Sequence, residues 1–259
     1  MLHLVINLDR SPDRWASVNA QLAAHGILAQ RVPGIDGRRL ESAFVRRITP
    51  SLSHFSKTEF PRELSLGEIG CFLSHRKCWE RLVESQEEWA LIMEDDIIFS
   101  KRAASYIRSP DWIPEGLGLV QIFLFGRTWK AKVEKERIAL PGGDELLRPL
   151  KPYPVGCQAY FISRQVAAQA LEQTLRLTMP VDEFLFSPMS RFARRHPVWR
   201  LNPAVVTTAP FETTIGTTER WETPRSSPLA RYHPVRHYWR ARNSLYHLLF
   251  CAYENFTFK

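Results

Sequence analysis

The 259-residue chain reads as an α/β protein, and three observations predict it. Short β-branched, apolar runs alternate with segments of helical spacing. One compact apolar run, Trp89-Ala90-Leu91-Ile92-Met93, ends abruptly in three carboxylates. The composition, 44% hydrophobic and 24% charged, is that of an ordinary globular chain. It excludes a disordered polymer, a collagen-like fibre and a disulfide-stapled miniprotein. At roughly 150 residues per domain the length gives one large domain, or one domain with an elaborated end. A chain of this size can bury a sizeable core.

His3 to Leu8 is apolar and β-branched, a first strand. Ser11-Pro12 starts a helix in which Trp15, Val18 and Leu22 recur at helical spacing, and Gly26 stops it. A short strand around Gln30 to Val32 leads into the turn Gly34-Ile35-Asp36-Gly37. Residues 41–64 are polar, carry prolines at 50 and 61, and read as a loop-rich excursion. Ser65 and Glu68 form a capping box for a helix whose apolar stripe is Ile69, Phe72, Leu73, Trp79, Leu82 and Val83. The strand 89–93 follows, and Leu119 to Phe125 is another. Residues 126–152 suit a surface loop or hairpin. Tyr153 to Ile162 is a strand interrupted by Gly156, and Ser163 caps a helix to about Leu175. Pro180 then introduces Val181 to Phe186, and short strands and turns follow Pro197.

Leu4-Val5-Ile6 is too short for the apolar region of a signal peptide, and Asp9 interrupts it. No apolar run approaches the roughly 20 residues that span a bilayer. The four cysteines form no CxxC pair, and Cys71 and Cys78, seven apart on a helix, read as packing. A reducing cytoplasm is the expectation. The net charge is +8, with six Lys or Arg against one Glu in residues 225–259. Nucleic acid, an anionic membrane surface and a phosphorylated substrate are each compatible with that excess.

The triplet Glu94-Asp95-Asp96 is the most informative feature. Carboxylates directly after a buried strand are costly unless they reach solvent or a cation, and ligands of open α/β sheets bind beyond the carboxyl ends of strands. If the chain stays extended, Glu94 and Asp96 point the same way. Such hard oxygens suit Mn²⁺ or Mg²⁺, which bridges a diphosphate. A solvated acidic turn is the plainer reading, and position at a strand end favours the metal.

Several ordered segments resemble glycosyltransferase family 25, which contains bacterial lipooligosaccharide galactosyltransferases and collagen-modifying enzymes. Val5-Ile6-Asn7-Leu8-Asp9-Arg10, with Arg14, is similar to its opening. Gly67 to His75 resembles its second motif, and Leu91 to Asp96 its third, a variant of the DxD signature. Gly156-Cys157-Gln158-Ala159-Tyr160 and Pro180-Val181-Asp182 match weaker later motifs, and the resemblance covers about residues 3–215. It implies a GT-A-like fold with a Rossmann-type nucleotide half (about 1–125) and an acceptor half (about 126–224). It also implies a UDP-sugar donor, a divalent metal (Mn²⁺ or Mg²⁺) and inversion at the anomeric carbon.

By family position Asn7, Leu8, Arg14, Asp36, Ser74, His75 and Asp95 fall at the donor pocket, and Glu94 and Asp96 at the metal. For Asn7 a turn cap and for Arg14 a helix surface are equally compatible with the residues alone, and a lone histidine such as His75 is more often a hydrogen-bonded packing residue. Tyr160 and Cys157 read as core. An inverting displacement needs a base opposite the leaving group, and Asp182, with Glu183 second, resembles the acidic pair that carries it. First-turn carboxylates that stabilise a helix N-terminus are the plainer reading of both. Many GT-A enzymes add a late histidine as metal ligand, but Val205 to Pro210 holds none, and the spacing of His196 gives it no support.

Residues 225–259 form a second segment, basic and aromatic, in which Leu245, Leu248 and Leu249 share one helix face. It reads as an amphipathic helical extension, either packed on the domain or lying on an anionic inner-leaflet surface. The resulting expectation is a cytoplasmic enzyme, peripheral on the inner face of the bacterial inner membrane. It would move a sugar, galactose by resemblance, from a UDP-sugar to a lipid-linked saccharide of lipooligosaccharide, and no nucleic acid is expected. A non-catalytic nucleotide-sugar or glycan-binding protein, and less readily a nucleic-acid-associated one, are the rivals.

Overall fold

The computed structural model describes residues 1–49, 63–151, 156–210 and 251–259. The chain begins β1 (Leu2–Asn7), α1 (Pro12–Ala24), β2 (Gln30–Pro33), a 3-10 turn Gly37–Arg39, α2 (Ser42–Ile48) and α3 (Leu66–Glu84). It continues β3 (Trp89–Glu94), β4 (Ile97–Phe99), α4 (Ala104–Ile107), β5 (Leu119–Gln121), β6 (Phe123–Leu124), β7 (Thr128–Ala139) and β8 (Glu145–Lys151). Then come β9 (Ala159–Ser163), α5 (Arg164–Gln173), α6 (Val181–Phe186), α7 (Arg191–Arg195), β10 (Trp199–Asn202), β11 (Val206–Thr208) and β12 (Cys251–Thr257).

Among the described residues the main sheet has the order β12-β7-β8-β10-β5-β9-β3-β1-β2, and a smaller sheet has β4-β11-β6. β1 pairs in parallel with both β2 and β3. β9 runs antiparallel between β3 and β5. The fold is thus mixed α/β, with a parallel, Rossmann-type half at one edge of a large sheet, as a GT-A-like fold requires.

Period-two alternation decides which face each β1 residue serves. Leu4 packs with α3 residues Ile69, Phe72, Trp79 and Leu82 on one face. Val5 packs with α1 residues Val18 and Leu22 on the other. Helices therefore cover both faces of the parallel strands, and β3 is apolar from Trp89 to Met93, buried on both faces from Ala90 on. α3 is held at its start by the reciprocal capping box that its sequence predicts: Ser65 N–H donates to Glu68 Oε2 at 2.9 Å, and Glu68 N–H to Ser65 Oγ at 3.2 Å.

Three sequence expectations change and a fourth is borne out. Ser42–Ile48 within the supposed loop is helical, with Val45 and Ile48 packed on the core. Leu119 to Phe125 divides between two sheets, β5 in the large one and β6 in the small one. Residues 126–151 do form a hairpin, β7–β8, and it extends the main sheet. The end of the basic extension is not helical. Cys251–Thr257 is a strand, antiparallel to β7 from Cys251↔Glu134 to Thr257↔Thr128, with Phe256 fully buried. Its alternation of Ala252, Glu254 and Phe256 with Tyr253 and Asn255 explains why a period-two partner captured it. The helix face of Leu245, Leu248 and Leu249, and the rest of 211–250, lie outside the described residues. Among the described residues no helix is long and apolar enough to cross a membrane.

Candidate functional site

The chain leaves β1 to one side through α1 into β2, and later returns through α3 into β3 on the other side. Strand order therefore reverses at β1, and a crevice opens beyond the carboxyl ends of the three strands. There the structure holds a cleft of about 260 Å³. It gathers Leu8 and Arg14 after β1, Asp36 after β2, Ser74 and His75 from α3, and Glu94 and Asp95 at the end of β3. Those seven predicted positions come from four separated stretches of sequence. Asn7 and Asp96 do not line this cleft.

Asn7 acts from behind it. Its Nδ2 donates to Asp95 Oδ2 at 2.6 Å and to the Ser11 carbonyl at 2.8 Å, while Arg31 Nε donates to its Oδ1 at 2.7 Å. Arg14 stands 3.6 Å from Asp95 Oδ1. Burial raises the Asp95 carboxyl above its ordinary pKa, and the bonds from Asn7 and Arg14 oppose that rise. Asn7 is thus a buried support for Asp95 rather than a wall of the cleft.

Asp36 is similarly engaged within the protein. It accepts from Arg38 Nε and Nη2, both at 3.1 Å, from Arg38 N–H at 3.2 Å, and from Arg10. The side-chain bonds from Arg38 lead the fall of its pKa below the usual carboxylate value. The turn is anchored to α3: Ile35 N–H donates to Ser74 Oγ at 2.8 Å, and Ser74 O–H to the Gly70 carbonyl at 2.7 Å. Gly70 and Gly37 make this approach possible, because a Cβ on Gly70 would lie 2.4 Å from the Ile35 carbonyl oxygen.

The extended geometry assumed for Glu94 and Asp96 does not hold. β3 ends at Glu94, and a bend at Asp95 and Asp96 precedes β4. The bend turns Asp95 rather than Asp96 toward the cleft, where Asn7 and Arg14 meet it. Asp96 Oδ1 is buried with no hydrogen-bond partner among the described residues. Burial first, then the charges of Glu94 and Asp95, push the Asp96 carboxyl up to about 7. An orphaned carboxylate oxygen crowded by two further carboxylates is what a hard divalent cation would relieve. Carboxylate oxygens of this kind suit Mn²⁺ or Mg²⁺. Cys71, His75 and Glu94 also bring one ligand atom each within 4.8 Å of one another. The histidine beside the acidic motif thus comes from α3, not from late in the chain. His196 lies at the opposite ends of the strands, in a cavity with Trp89, Leu119 and Trp199.

A smaller cavity adjoins the cleft. It is lined by Glu68, Gly156, Cys157, Gln158 and Asp182, and shares Cys71 and Glu94 with the cleft. Asp182 sits in the first turn of α6, its Oδ1 accepting from Glu183 N–H at 2.9 Å and its Oδ2 from Gly156 N–H at 3.3 Å. Glu183 is not part of its wall.

Residues 1–185 match the model of glycosyltransferase family 25 (LPS biosynthesis protein). The chain belongs to glycosyltransferase family 25. It is 31% identical over 187 residues to a "Glycosyltransferase 25 family member" of Aedes aegypti, covering 70% of this chain and 30% of that protein. A Drosophila melanogaster member of the same name is 31% identical over 189 residues, with 70% and 29% covered. The human "Inactive glycosyltransferase 25 family member 3" is 31% identical over 185 residues, with 70% and 30% covered. The chain thus spans about 30% of the length of the curated relatives it matches. A solved glycosyltransferase involved in glycosylation of the major capsid of PBCV-1 aligns at TM-score 0.42 and 10% identity, over 82% of this chain and 93% of that one.

Several residues of this family 25 site escape a reading by motif. Arg10 and Arg38 both reach Asp36, and Arg38 stands only two residues from it, a spacing that a turn brings together. Cys71, read as packing, lines both cavities, and its i, i+4 spacing from His75 was the available signal. Cys78 and Tyr160 are fully buried, as that reading expects. Cys157 is buried too, yet it lines the cavity of Asp182.

Proposed function

We propose that this family 25 chain is a metal-dependent, inverting glycosyltransferase. It moves a sugar, galactose in β linkage, from a UDP-sugar to a saccharide acceptor on a lipid-linked lipooligosaccharide or lipopolysaccharide. The observation that carries the reading is the pair of adjoining cavities with Glu94 in their common wall. One is bounded by arginines and the acidic motif; the other holds Asp182.

In this reading Arg14 and the turn around Asp36 bind the nucleotide, while Arg10 and Arg38 fix Asp36. Leu8, Ser74, His75 and Asp95 complete the donor wall, and Asn7 orients Asp95. Glu94 and Asp96 would hold Mn²⁺ or Mg²⁺, which when bound offsets the charge that builds on the leaving diphosphate. Asp182, oriented by the N–H groups of Gly156 and Glu183, takes the proton of the acceptor hydroxyl as that oxygen bonds to the anomeric carbon. Glu183 lies outside the cavity wall and ranks second as base. Peripheral attachment to an anionic inner leaflet belongs to the same reading and rests on the basic composition of residues 225–259.

The mammalian relatives named inactive favour a second reading, in which the cleft binds a nucleotide-sugar without turning it over. Incubation with a panel of UDP-sugars and a saccharide acceptor, in Mn²⁺ or EDTA, decides between them. The transferase reading expects UDP release and a glycosylated acceptor in Mn²⁺ alone, lost in Asp96→Ala. UDP-sugar binding without release in any condition would establish the silent protein instead.

A further inference from the structure

Behind Glu94 runs a line of fully buried polar side chains. Trp79 and His75 lie on α3, one turn apart, and Tyr160 on β9 stands between them. Trp79 Nε1 is 3.0 Å from the Tyr160 hydroxyl oxygen. That oxygen is 2.9 Å from His75 Nδ1, and His75 Nε2 is 3.3 Å from Glu94 Oε1.

The proton directions follow from what each group can give. An indole N–H only donates, a tyrosine hydroxyl has one proton, and a neutral imidazole has one N–H and one lone pair. Trp79 therefore donates to Tyr160. Suppose the imidazole proton were on Nδ1. The Tyr160 oxygen would then accept twice, and its own proton would face none of the partners described for it. The Nε2 lone pair would also face a carboxylate oxygen. An unmade buried hydrogen bond is costly. With the proton on Nε2 every contact is satisfied in sequence: Trp79 donates to Tyr160, Tyr160 to His75 Nδ1, and His75 Nε2 to Glu94 Oε1.

We infer that Tyr160 is a positioning residue that holds His75 in its Nε2–H form, Trp79 donating to the same hydroxyl, so that His75 fixes one oxygen of Glu94. Glu94 Oε2 is then the oxygen left to a ligand. The same chain of bonds keeps the proximity of Cys71, His75 and Glu94 from being a ready metal site, because an imidazole ligates through an unprotonated nitrogen. A metal on Nε2 would require the whole line to reverse. The inference concerns proton positions in the protein alone. Only its effect on the cation rests on the function proposed above.

The test is long-range ¹H–¹⁵N NMR of the metal-free chain labelled at histidine, with His75 assigned through His75→Gln. The expected pattern is Nε2–H in the unsubstituted chain and in Trp79→Phe, which leaves the tyrosine hydroxyl in place. Tyr160→Phe should give a mixture of tautomers. An Nδ1–H pattern in the unsubstituted chain, or an unaltered single tautomer in Tyr160→Phe, would overturn it. Mn²⁺ titration followed by electron paramagnetic resonance gives the second readout. Tyr160→Phe should weaken Mn²⁺ by about 10–100-fold, the usual effect of losing a support behind a metal ligand. Equal Mn²⁺ affinity in the two chains would overturn the positioning role. If the Nε2–H pattern holds but the unsubstituted chain takes up no Mn²⁺, the tautomer stands and the metal-dependent reading of the cleft fails.

Discussion

Gly70→Ala tests whether the turn that carries Asp36 is held against α3 by backbone contact. The added Cβ would lie 2.4 Å from the Ile35 carbonyl oxygen and 2.6 Å from the Gly37 nitrogen. Ordinary carbon contacts begin near ~3.5 Å, so turn and helix must part by roughly 1 Å. Overpacking of this kind costs about 1–3 kcal/mol. For a chain of this size that lowers the melting temperature by roughly 2–12 °C. The parting also pulls Ile35 N–H away from Ser74 Oγ and moves Asp36 relative to Arg14. UDP affinity should fall about tenfold or more, each factor of ten being about 1.4 kcal/mol. Gly142→Ala is the control. Gly142 has φ +90° in the β7–β8 turn with nothing among the described residues within 4 Å of an added Cβ, so it brings strain without touching the cleft. Its melting temperature should fall by a few degrees, with UDP affinity unchanged. Differential scanning fluorimetry and titration calorimetry with UDP read both effects. Unchanged melting and binding in Gly70→Ala would refute the close approach. Equal loss of UDP binding in both variants would refute the location of the nucleotide.

Three further outcomes follow from the same geometry. The Asp96 pKa is higher in the folded protein, about 7, than in the unfolded chain, near 4, so protonation favours the fold. Stability of the metal-free protein should therefore be fullest below about pH 4 and decline as pH rises through about 7. Asp96→Asn should remove that part of the decline in thermal melts, and an identical profile in the variant would contradict it. Asp182→Asn should lower turnover by about 10²–10⁴-fold while leaving UDP affinity within about twofold; weakened UDP binding would move Asp182 to the donor side. Phe256 is fully buried, its ring 5.1 Å from that of Trp129 and 5.6 Å from the Arg200 guanidinium. Phe256→Ala should cost about 3–5 kcal/mol in denaturant unfolding, and a loss below about 1 kcal/mol would mean that β12 is not part of the sheet.

What the sequence made legible was governed by local physics. Ser65 and Glu68 announce α3 because a capping box is completed within four residues. The apolar run 89–93 announces a strand buried on both faces. Together they place Ser74, His75, Glu94 and Asp95 near the ends of elements, and the reversal at β1 does the rest. Asp96 was harder. Its orientation depends on the bend after Glu94, where Asn7 and Arg14, 80 or more positions away, meet Asp95. Ser42–Ile48 and Cys251–Thr257 were missed for a related reason. Both are short, polar on one side, and stabilised by packing on distant partners, so their own spacing carries little signal. The line from Trp79 to Glu94 joins α3, β9 and β3, and only the assembled sheet brings it together.

The most direct test of the account is a crystal structure of the chain with UDP and Mn²⁺. The account predicts the nucleotide in the cleft between Arg14 and the Asp36 turn, and the metal at the carboxylates that follow β3. A nucleotide bound elsewhere, or a metal held by Cys71 and His75, would contradict it.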